Sequence, residues 1–356
     1  MTMRQALASF EGRRVFVTGH TGFKGSWLSL LLTRAGADVM GYSLAPEALP
    51  NHFELLGLAG CMHHVVGDVT DGSNLKKIMT DFQPEYVFHL AAQALVKHSY
   101  SDPASTFATN VMGSLHLLDA VRHVESVRSL VYITSDKCYE NVEWIWGYRE
   151  SDALGGHDPY SASKAAAEIL FSAYARSYFA NRFDLGIASA RAGNVIGGGD
   201  WARDRIIPDC VRSIETGQPI KLRNPSATRP WQHVLEPLSG YLLLAANLRK
   251  DPGRFFGAWN FGPNSDEVLT VLEVARTMVD KIGIGSIEIG GASPAQHEAN
   301  LLQLNCDKAH QFLGWKPRWS VEKTLESTAS WYSAWMSGQY MTSVSEAQIR
   351  DYFQEF

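Results

Sequence analysis

The chain has 356 residues, which at roughly 150 residues per domain suggests two domains, or one large domain with an appendage. Its composition is 45% hydrophobic and 19% charged, with 30 glycines and 14 prolines, and this excludes a disordered or collagen-like protein. The net charge of −5 argues against general nucleic-acid binding. No apolar run reaches the ~18 residues of a membrane span, so we expect no membrane association.

The four cysteines are far apart in the sequence, at Cys61, Cys138, Cys210 and Cys306. This spacing contains no paired-cysteine metal motif and fits a reducing compartment. The first residues lack the apolar core of a signal peptide. We therefore expect a cytoplasmic protein without a bound metal.

Short β-rich runs alternate with helical stretches through the first 190 residues. Strands are predicted, in chain order, at 14–18, 38–42, 63–66, 86–90, 130–134 and 185–190. Helical periodicity predicts helices near 27–32, 71–82, 104–123 and 160–179, and later near 234–248 and 268–282. Apolar strands separated by helices are typical of a parallel sheet covered on both faces. The predicted fold class is α/β, with a doubly wound parallel sheet of the Rossmann type.

The character of the sequence changes after Arg191. Residues 193–232 contain glycine runs, prolines and tryptophans, and clear helical periodicity returns only near 234. We predict a first domain over residues 1–191 and a smaller domain over 192–356 that covers the ligand. Some segments of the second domain are expected to rejoin the main sheet.

Three glycines, Gly19, Gly22 and Gly25, recur at every third position between the first predicted strand and its helix. The first permits a tight turn, the second lets backbone approach a pyrophosphate, and the third lets the helix pack closely on the strand. The helix N-terminus adds N–H donors and a positive potential. A glycine triplet alone is a weak signal, and a purely structural turn is the alternative. Its position after the first strand of a βαβ pattern predicts a dinucleotide site.

The tip of the second predicted strand indicates which dinucleotide binds. Residues 40–43 contain neither the acidic residue usual at the ribose nor a basic residue, and no Lys or Arg occurs between Arg34 and Lys76. The missing basic group favours NAD over NADP, with Ser43 or backbone at the ribose. Asp68, after the third strand, is placed to accept from the adenine amino group or, alternatively, to cap its own turn.

A catalytic set is predicted from two further motifs. Tyr160 and Lys164 lie four residues apart on one helix face, and a lysine beside a phenol favours the phenolate, lowering a pKa of about 10. Tyr160 then becomes a base toward a sugar hydroxyl. Ser135 follows the fifth strand, at the sheet edge where ligands bind, and can hydrogen-bond the same oxygen. A helix-surface pair and a plain surface turn are the alternatives.

These motifs occur in the order found in extended short-chain dehydrogenases/reductases, which the chain resembles. Four narrower segments resemble the nucleotide-sugar 4,6-dehydratases, and most of all their CDP-glucose branch: GHTGFKGSW at 19–27, TSDKCY at 134–139, RAGNVIGGGDW at 191–201 and RPWQHV at 229–234. The resemblance covers nearly the whole chain. It implies an NAD-dependent lyase that oxidises C4 of CDP-glucose, eliminates water across C5 and C6, and returns the hydride to C6. It further implies deoxysugar biosynthesis, as for O-antigen or lipopolysaccharide, and a homodimer or dimer of dimers formed through helices 104–123 and 160–179.

The resemblance also implies roles for single residues. Tyr160 takes the proton of the 4-hydroxyl, Asp136 is the acid for the 6-hydroxyl, and Lys137 is the candidate C5 base, where commoner dehydratases carry glutamate. The implied cofactor contacts are Gly19, Thr21, Gly22, Phe23, Lys24, Gly25, Ser43, Asp68, Val69, Ala91, Ala92, Tyr160 and Lys164. The implied substrate contacts are Gln93, Asn194, Trp201, Arg205, Arg223 and Arg229.

The local charge of residues 201–231 fits a diphosphate ligand. Six basic and three acidic residues give this segment a charge of +3 in a chain of charge −5. Arginine forks suit diphosphate oxygens because they bind two oxygens at once. Trp201 either stacks on a base or packs in the core. An epimerase or reductase of the same superfamily is the nearest alternative, and a catalytically silent dinucleotide sensor would lack the Ser135, Tyr160 and Lys164 set.

Overall fold

The central sheet has seven strands, all parallel to their neighbours, in the order β7-β6-β5-β4-β1-β2-β3. These are β1 (Arg14–Thr18), β2 (Asp38–Ser43), β3 (His63–Val66), β4 (Tyr86–His89), β5 (Ser129–Ile133), β6 (Gly186–Ala192) and β7 (Gly257–Phe261). The structure is a computed structural model that describes residues 1–46, 49–222, 224–264, 268–290 and 301–354. The strand order reverses between β1 and β4, so the crevice for a ligand lies at their carboxyl ends.

Helices cover both faces of this sheet. They are α1 (Met3–Ala8), α2 (Phe23–Arg34), α3 (His52–Leu55), α4 (Gly72–Phe82), α5 (Val96–Ser101), α6 (Pro103–Phe107), α7 (Gly113–His123), α8 (Pro159–Tyr174), α9 (Ile206–Glu215), α10 (Leu235–Lys250), α11 (Val271–Ile282), α12 (Val321–Met336) and α13 (Met341–Phe353). Val15 and Val17 of β1 pack into the core on one face, and Phe16 packs into the core on the other. This burial on both faces is why the strands are apolar runs without alternation.

The six predicted strands are confirmed to within two residues, and with them the predicted fold class. The helix predicted at 104–123 contains a π-helical turn at Ala108–Met112, and α8 passes into a similar turn at Ala175–Phe179. The helix predicted from residue 268 was wrong at its start, because Val268–Thr270 is a strand. Thr270 and Glu273 form a capping box that begins α11 at Val271.

The second half of the chain contributes to the main sheet. Strand β7, which the sequence did not predict, pairs with β6 from Gly257 opposite Ala188 to Phe261 opposite Ala192. Three two-stranded pairs lie outside this sheet: Val195–Ile196 with Gln232–His233, Ile220–Leu222 with Ile287–Ile289, and Thr228–Pro230 with Val268–Thr270. The domain division at residue 191 stays a prediction. Within the described ranges, no helix combines the length and apolar character that crossing a bilayer requires.

Candidate active site

Two close approaches shape the glycine turn between β1 and α2. Gly19 has a φ of +75°, and a Cβ there would lie 2.8 Å from the Ala91 nitrogen. A Cβ on Gly25 would lie 2.0 Å from the Gly19 carbonyl oxygen, so α2 approaches the turn this closely only without a side chain. Gly22 precedes α2, and no side chain caps the first N–H groups of the helix. A diphosphate fits this cradle because uncapped amides and the helix dipole attract an anion.

The residues predicted at the adenosine end have three different environments. The hydroxyl oxygens of Thr21 and Ser43 lie 2.8 Å apart beside the glycine turn, with Ser43 at the end of β2. One carboxylate oxygen of Asp68 accepts the Thr70 N–H at 2.8 Å. Asp68 therefore caps its own turn, which was the alternative to binding the adenine amino group. The side chain of Val69 belongs to the core, so only its backbone can face a cofactor. Ser43 remains the predicted ribose partner.

The loop after β4 carries three of the predicted contacts. Ala91 packs against the glycine turn, and Ala92 follows it, half-buried. The Gln93 amide donates to the Thr106 hydroxyl at 2.8 Å and to the Leu95 carbonyl at 3.1 Å, while its oxygen accepts the Leu95 N–H. In this structure the side chain of Gln93 therefore stabilises the loop. To contact the substrate as predicted, it would have to break these hydrogen bonds.

The structure brings four predicted catalytic residues together at the carboxyl end of β5. The Ser135 hydroxyl, two residues beyond this strand, donates to Asp136 Oδ1 at 2.9 Å. Tyr160 and Lys164 are buried in the first turns of α8, with the Lys164 ammonium 5.9 Å from the centre of the Tyr160 ring. Helix α8 begins here because Asp158 caps its first turn.

Burial dominates the protonation of Tyr160 and Lys164. It raises the pKa of Tyr160 to about 12, although the nearby Ser135 hydroxyl and Arg205 guanidinium favour the phenolate. It lowers the pKa of Lys164 to about 8. That Lys164 favours the phenolate stays a prediction, and in the chain by itself burial raises the pKa of the phenol. The Lys164 ammonium lies over the ring, and desolvation of the phenolate has the largest effect on the pKa of Tyr160.

Asp136 is a buried carboxyl among cations. Burial raises its pKa, and the Lys137 ammonium, the Ser135 hydroxyl and the Lys24 ammonium oppose this shift, in that order. A Cβ at position 193 would lie 2.8 Å from Asp136 Oδ2, so Gly193 leaves room for the carboxyl. A general acid needs a carboxyl that holds its proton near neutral pH, and burial moves the pKa of Asp136 upward, in this direction. The assignment of Lys137, half-buried beside it, to the C5 base stays a prediction.

Among the predicted substrate-binding arginines, Arg205 is the one whose charge affects the predicted catalytic residue Tyr160. Its Nη1 donates to Asp200 Oδ2 at 2.9 Å, and Asp200 raises the pKa of the guanidinium. The Asp200 backbone is itself fixed, because its carbonyl accepts the Tyr332 hydroxyl at 2.6 Å. The Arg205 charge favours the phenolate of Tyr160. A firmly held cation therefore lies close to the reacting phenol.

The other predicted substrate contacts have varied surroundings. Asn194 is half-buried just after β6, and the half-buried Arg229 donates to the carbonyl of its neighbour Thr228 at 2.8 Å. Arg223 lies outside the described residues. Trp201 has three rings edge-on around it at centroid distances of 5.3 to 5.8 Å, from Trp331, Tyr332 and Trp335. These contacts give Trp201 a packing role, which was the alternative to stacking on a base.

A buried polar network behind the catalytic set was not predicted. The Glu168 carboxylate accepts the Thr134 hydroxyl, the Ser189 hydroxyl at 2.9 Å and the Arg191 guanidinium at 2.7 Å. Arg191 also donates to the Tyr139 hydroxyl at 2.7 Å. The network thus joins the segment after β5, α8 and β6 beside the predicted catalytic residues.

One sequence signal pointed to this network. Glu168 lies one helical turn after Lys164, on the same face of α8, and so faces the sheet as Lys164 does. A carboxylate in the middle of a buried helix face requires a partner, and Arg191, in an apolar strand, is the corresponding cation.

Comparison with known proteins agrees with this geometry. The chain matches the family model described as GDP-mannose 4,6 dehydratase over residues 16–328. It is 49% identical to the curated CDP-glucose 4,6-dehydratase of Salmonella typhimurium, over 96% of this chain and 97% of that protein.

Solved structures show the same fold. The UDP-glucose 4-epimerase of Thermus thermophilus, in complex with NAD, has a TM-score of 0.76 at 26% identity, covering 90% of this chain and 98% of that one. The dTDP-glucose 4,6-dehydratase of Streptomyces venezuelae, solved with NAD bound, has a TM-score of 0.77 at 24% identity, covering 92% and 98%.

The predicted resemblance to nucleotide-sugar 4,6-dehydratases is confirmed by these matches. The family model spans most of the sheet, the catalytic set and the arginine-rich segment. The chain therefore belongs to the GDP-mannose 4,6 dehydratase family.

Proposed function

We propose that this chain converts CDP-D-glucose to CDP-4-dehydro-6-deoxy-D-glucose as an NAD-dependent hydro-lyase. The observation that carries the proposal is the buried Asp136 beside Tyr160 and Lys164. A tyrosine and lysine alone suffice for oxidation at C4, whereas elimination also needs an acid for the leaving hydroxyl. The relative at 49% identity is named for CDP-glucose, which supports the cytidine nucleotide.

The proposed catalytic residues act on two oxygens of the sugar, O4 and O6. Tyr160 accepts the proton of the 4-hydroxyl, and the Ser135 hydroxyl orients the same oxygen. NAD, held by the glycine turn, would supply the acceptor for the hydride from C4 and the donor of the hydride to C6. The C4 ketone acidifies the C5 hydrogen, so a base removes that proton while Asp136 protonates O6, the C6–O6 bond breaks and water leaves. C5 recovers a proton as the hydride arrives at C6.

The cofactor is NAD. Its diphosphate is held by the cradle of Gly19, Gly22 and Gly25, where side chains would fill the space that backbone amides need. Thr21 and Ser43 offer hydroxyls to the adenosine ribose. The sequence from 35 to 75 contains no Lys or Arg to bind the extra phosphate of NADP.

The substrate is a nucleotide sugar whose diphosphate meets the arginine-rich segment. Arg205 is supported for this role because Asp200 holds its guanidinium beside the catalytic set. Asn194 and Arg229 are proposed to bind the same diphosphate, since both are half-buried and belong to the segments that the family resemblance singled out; Asn194 follows β6 at the carboxyl edge of the sheet. Arginine pairs with phosphate oxygens in a bidentate way and so fixes the orientation of the sugar.

We further propose that the chain forms a homodimer and works in the cytoplasm, where its nucleotide substrate and cofactor are made. The two helical stretches that the family resemblance singled out carry exposed apolar side chains: Phe107, Met112, Ile169 and Tyr178. Burying them against a second copy would remove apolar surface from water. Light scattering of wild type and of Ile169→Glu tests this proposal, and an unchanged mass in the variant counts against it.

The function is tested by incubating the NAD-loaded protein with CDP-, dTDP-, UDP- and GDP-glucose and measuring the 4-keto product. We expect turnover of the cytidine nucleotide. Turnover of another nucleotide alone would indicate a dehydratase of different specificity. Inversion at C4 without loss of water would indicate an epimerase, and net oxidation or reduction an ordinary dehydrogenase or reductase.

A further inference from the structure

A single 3₁₀ turn after β5, the Asp136 turn (residues 135–138), carries Ser135 and Asp136 of the predicted catalytic set. Two long backbone hydrogen bonds close it. The Cys138 N–H donates to the Ser135 carbonyl at 3.3 Å. The Tyr139 N–H donates to the Asp136 carbonyl at 3.2 Å. Because hydrogen bonds of this length are weak, the position of the Asp136 carboxyl depends on how the two ends of the turn are held.

Both ends of the Asp136 turn are attached to one buried ion pair, formed by Glu168 and Arg191. Before the turn, the Thr134 hydroxyl donates to Glu168 Oε1. After the turn, the Tyr139 hydroxyl accepts from Arg191 Nη1 at 2.7 Å. The carboxylate and the guanidinium are themselves joined at 2.7 Å. The ion pair therefore bridges the residues that flank the turn and fixes the distance between them.

The Tyr139 hydroxyl acts both as an acceptor and as a donor in buried surroundings. Besides accepting from Arg191, it donates to Asn260 Oδ1 in β7 at 2.8 Å. The Tyr139 ring is buried and stacks on the ring of Tyr148, with the centroids 5.2 Å apart. The stack holds the ring but does not reach the ion pair. The hydroxyl therefore supplies the contact that connects this end of the turn to Arg191.

We propose that Tyr139 is a positioning residue of the elimination step, whose hydroxyl anchors the Asp136 turn to Arg191 and thereby holds the Asp136 carboxyl where it can reach O6 of the sugar. The inference rests on the proposed function. In the step itself the proton passes from the Asp136 carboxyl to O6, the C6–O6 bond breaks, the C5 proton goes to the base, and water leaves. Tyr139 acts through its backbone contact with Asp136 and keeps its own proton throughout.

The anchors at the two ends of the turn affect different steps of the reaction. Thr134 directly precedes Ser135, and its backbone N–H also donates to the Ala190 carbonyl of β6 at 2.9 Å. Ser135 therefore stays attached to the sheet when the Tyr139 hydroxyl is removed. Asp136 is bonded through its carbonyl to the Tyr139 N–H, so it moves when Tyr139 moves. We expect loss of this hydroxyl to slow elimination more than oxidation at C4.

The test compares Tyr139→Phe with Tyr148→Phe in single turnovers of CDP-glucose. Tyr148 is the matched control because it is the other ring of the stack, and its hydroxyl accepts the Val142 N–H at 2.8 Å and donates to Asn141 at 3.0 Å. Each variant thus loses two hydrogen bonds, but only Tyr139→Phe loses one to the ion pair. We expect Tyr139→Phe to slow dehydration about 10- to 100-fold, with a smaller effect on C4 oxidation, so that the 4-ketoglucose intermediate accumulates. Tyr148→Phe should stay close to wild type.

The thiol of Cys138, inside the Asp136 turn, reports on the turn without turnover. Cys138, Cys210 and Cys306 are all buried and free, and a buried thiol reacts only when the structure around it opens. Labelling with iodoacetamide, mapped by mass spectrometry, should therefore be faster at Cys138 in Tyr139→Phe than in wild type. The other two buried thiols should keep their wild-type rates, which separates local loosening of the turn from general unfolding.

A second pair of variants tests the anchoring from the other end of the turn. Thr134→Val removes the hydroxyl that donates to Glu168, whereas Thr134→Ser keeps it. We expect faster labelling of Cys138 and slower dehydration in the valine variant, and wild-type behaviour in the serine variant. This pair tests the ion-pair anchor even if Tyr139→Phe does not fold.

Four results would count against the proposal. Wild-type labelling of Cys138 in both Tyr139→Phe and Thr134→Val would overturn the anchoring. Dehydration at the wild-type rate in Tyr139→Phe, or an equal loss in Tyr148→Phe, would overturn the positioning role. Equal slowing of oxidation and dehydration would overturn its assignment to elimination. If wild type does not convert CDP-glucose, the proposed function fails, while the labelling still tests whether Tyr139 and Thr134 anchor the turn.

Discussion

The Arg191 guanidinium and the Glu168 carboxylate lie 2.7 Å apart below the active site, with 4% and 2% of their side chains exposed. Removing one member of such a pair leaves a buried charge without compensation. We expect Glu168→Ala to lower the free energy of unfolding by about 3–5 kcal/mol, measured by urea denaturation. The matched control is Glu346→Ala on the surface, where the loss of pairing with Arg34 and Arg350 changes stability by less than about 1 kcal/mol. Equal effects of the two substitutions would contradict the importance of the buried pair.

Because Lys164 is buried, we expect its replacement by an uncharged residue to raise the free energy of unfolding by an amount that depends on pH. A pKa lowered from 10.5 to about 8 corresponds to roughly 3 kcal/mol of destabilisation at pH values below both. Between about pH 8 and 10.5 the unfolded chain binds more protons than the folded one, so wild-type stability rises with pH. Lys164→Met should therefore be more stable than wild type at pH 7, by a margin that shrinks across this window.

The control for Lys164→Met is Lys77→Met, which replaces an exposed lysine of α4. Its stability relative to wild type should not vary between pH 7 and 10. A similar trend in both variants would mean that overall charge, and not burial of Lys164, causes the effect.

Tyr160→Phe removes the proposed base while leaving the ring that packs in the site. We expect a loss of C4 oxidation of about 10²–10⁴-fold, measured by reduced-cofactor absorbance in single turnovers. Affinity for CDP measured by calorimetry should stay close to wild type. Tyr178→Phe, on an exposed ring, is the matched control. Wild-type turnover in Tyr160→Phe would remove the phenol from the mechanism.

The proposed cycle predicts where an isotope goes. With CDP-glucose deuterated at C4, the label should appear at C6 of the same molecule, because the cofactor stays bound between taking up the hydride from C4 and returning it to C6. Mass spectrometry of mixed labelled and unlabelled substrates distinguishes transfer within a molecule from transfer between molecules. Accumulation of free reduced cofactor, or scrambling of label, would indicate an ordinary dehydrogenase.

Lys137→Met separates the two roles open to this lysine. If Lys137 is the C5 base, the variant should still oxidise C4 but should neither exchange the C5 hydrogen with D₂O nor release water. If it remains charged and stabilises the C4 enolate oxygen, exchange continues more slowly. Exchange at the wild-type rate with blocked dehydration would move Lys137 to a later step. Nuclear magnetic resonance of the recovered sugar measures the exchange.

The main sheet was largely predictable because its strands are buried on both faces. In β1, Val15 and Val17 pack into the core on one face of the sheet and Phe16 into the core on the other, so the strand is an uninterrupted apolar run in the sequence. Strand β7 escaped prediction because it is short and its fourth residue, Asn260, is polar. Its side chain accepts the Tyr139 hydroxyl at 2.8 Å, a contact between segments more than a hundred residues apart.

The sequence was enough to predict that Ser135, Tyr160 and Lys164 lie together, but not to predict their protonation. Spacing placed Tyr160 and Lys164 on one helix face, and the end of a strand placed Ser135 beside them. The pKa of Tyr160 depends on how deeply the ring is buried, and residue spacing carries no such information. Likewise, Gln93 and Trp201 were predicted to bind substrate, yet their contacts with Thr106 and Trp331 depend on how other segments of the chain fold.

The position of β7 at the edge of the sheet bears on how the protein is synthesised. While the nascent chain ends near residue 192, strand β6 presents a free row of backbone N–H and C=O groups, and α10 has not yet been translated to cover it. An open strand edge of this kind promotes aggregation. We therefore expect the first half of the chain to be prone to aggregation during synthesis, until residue 261 has left the ribosome and β7 can pair with β6.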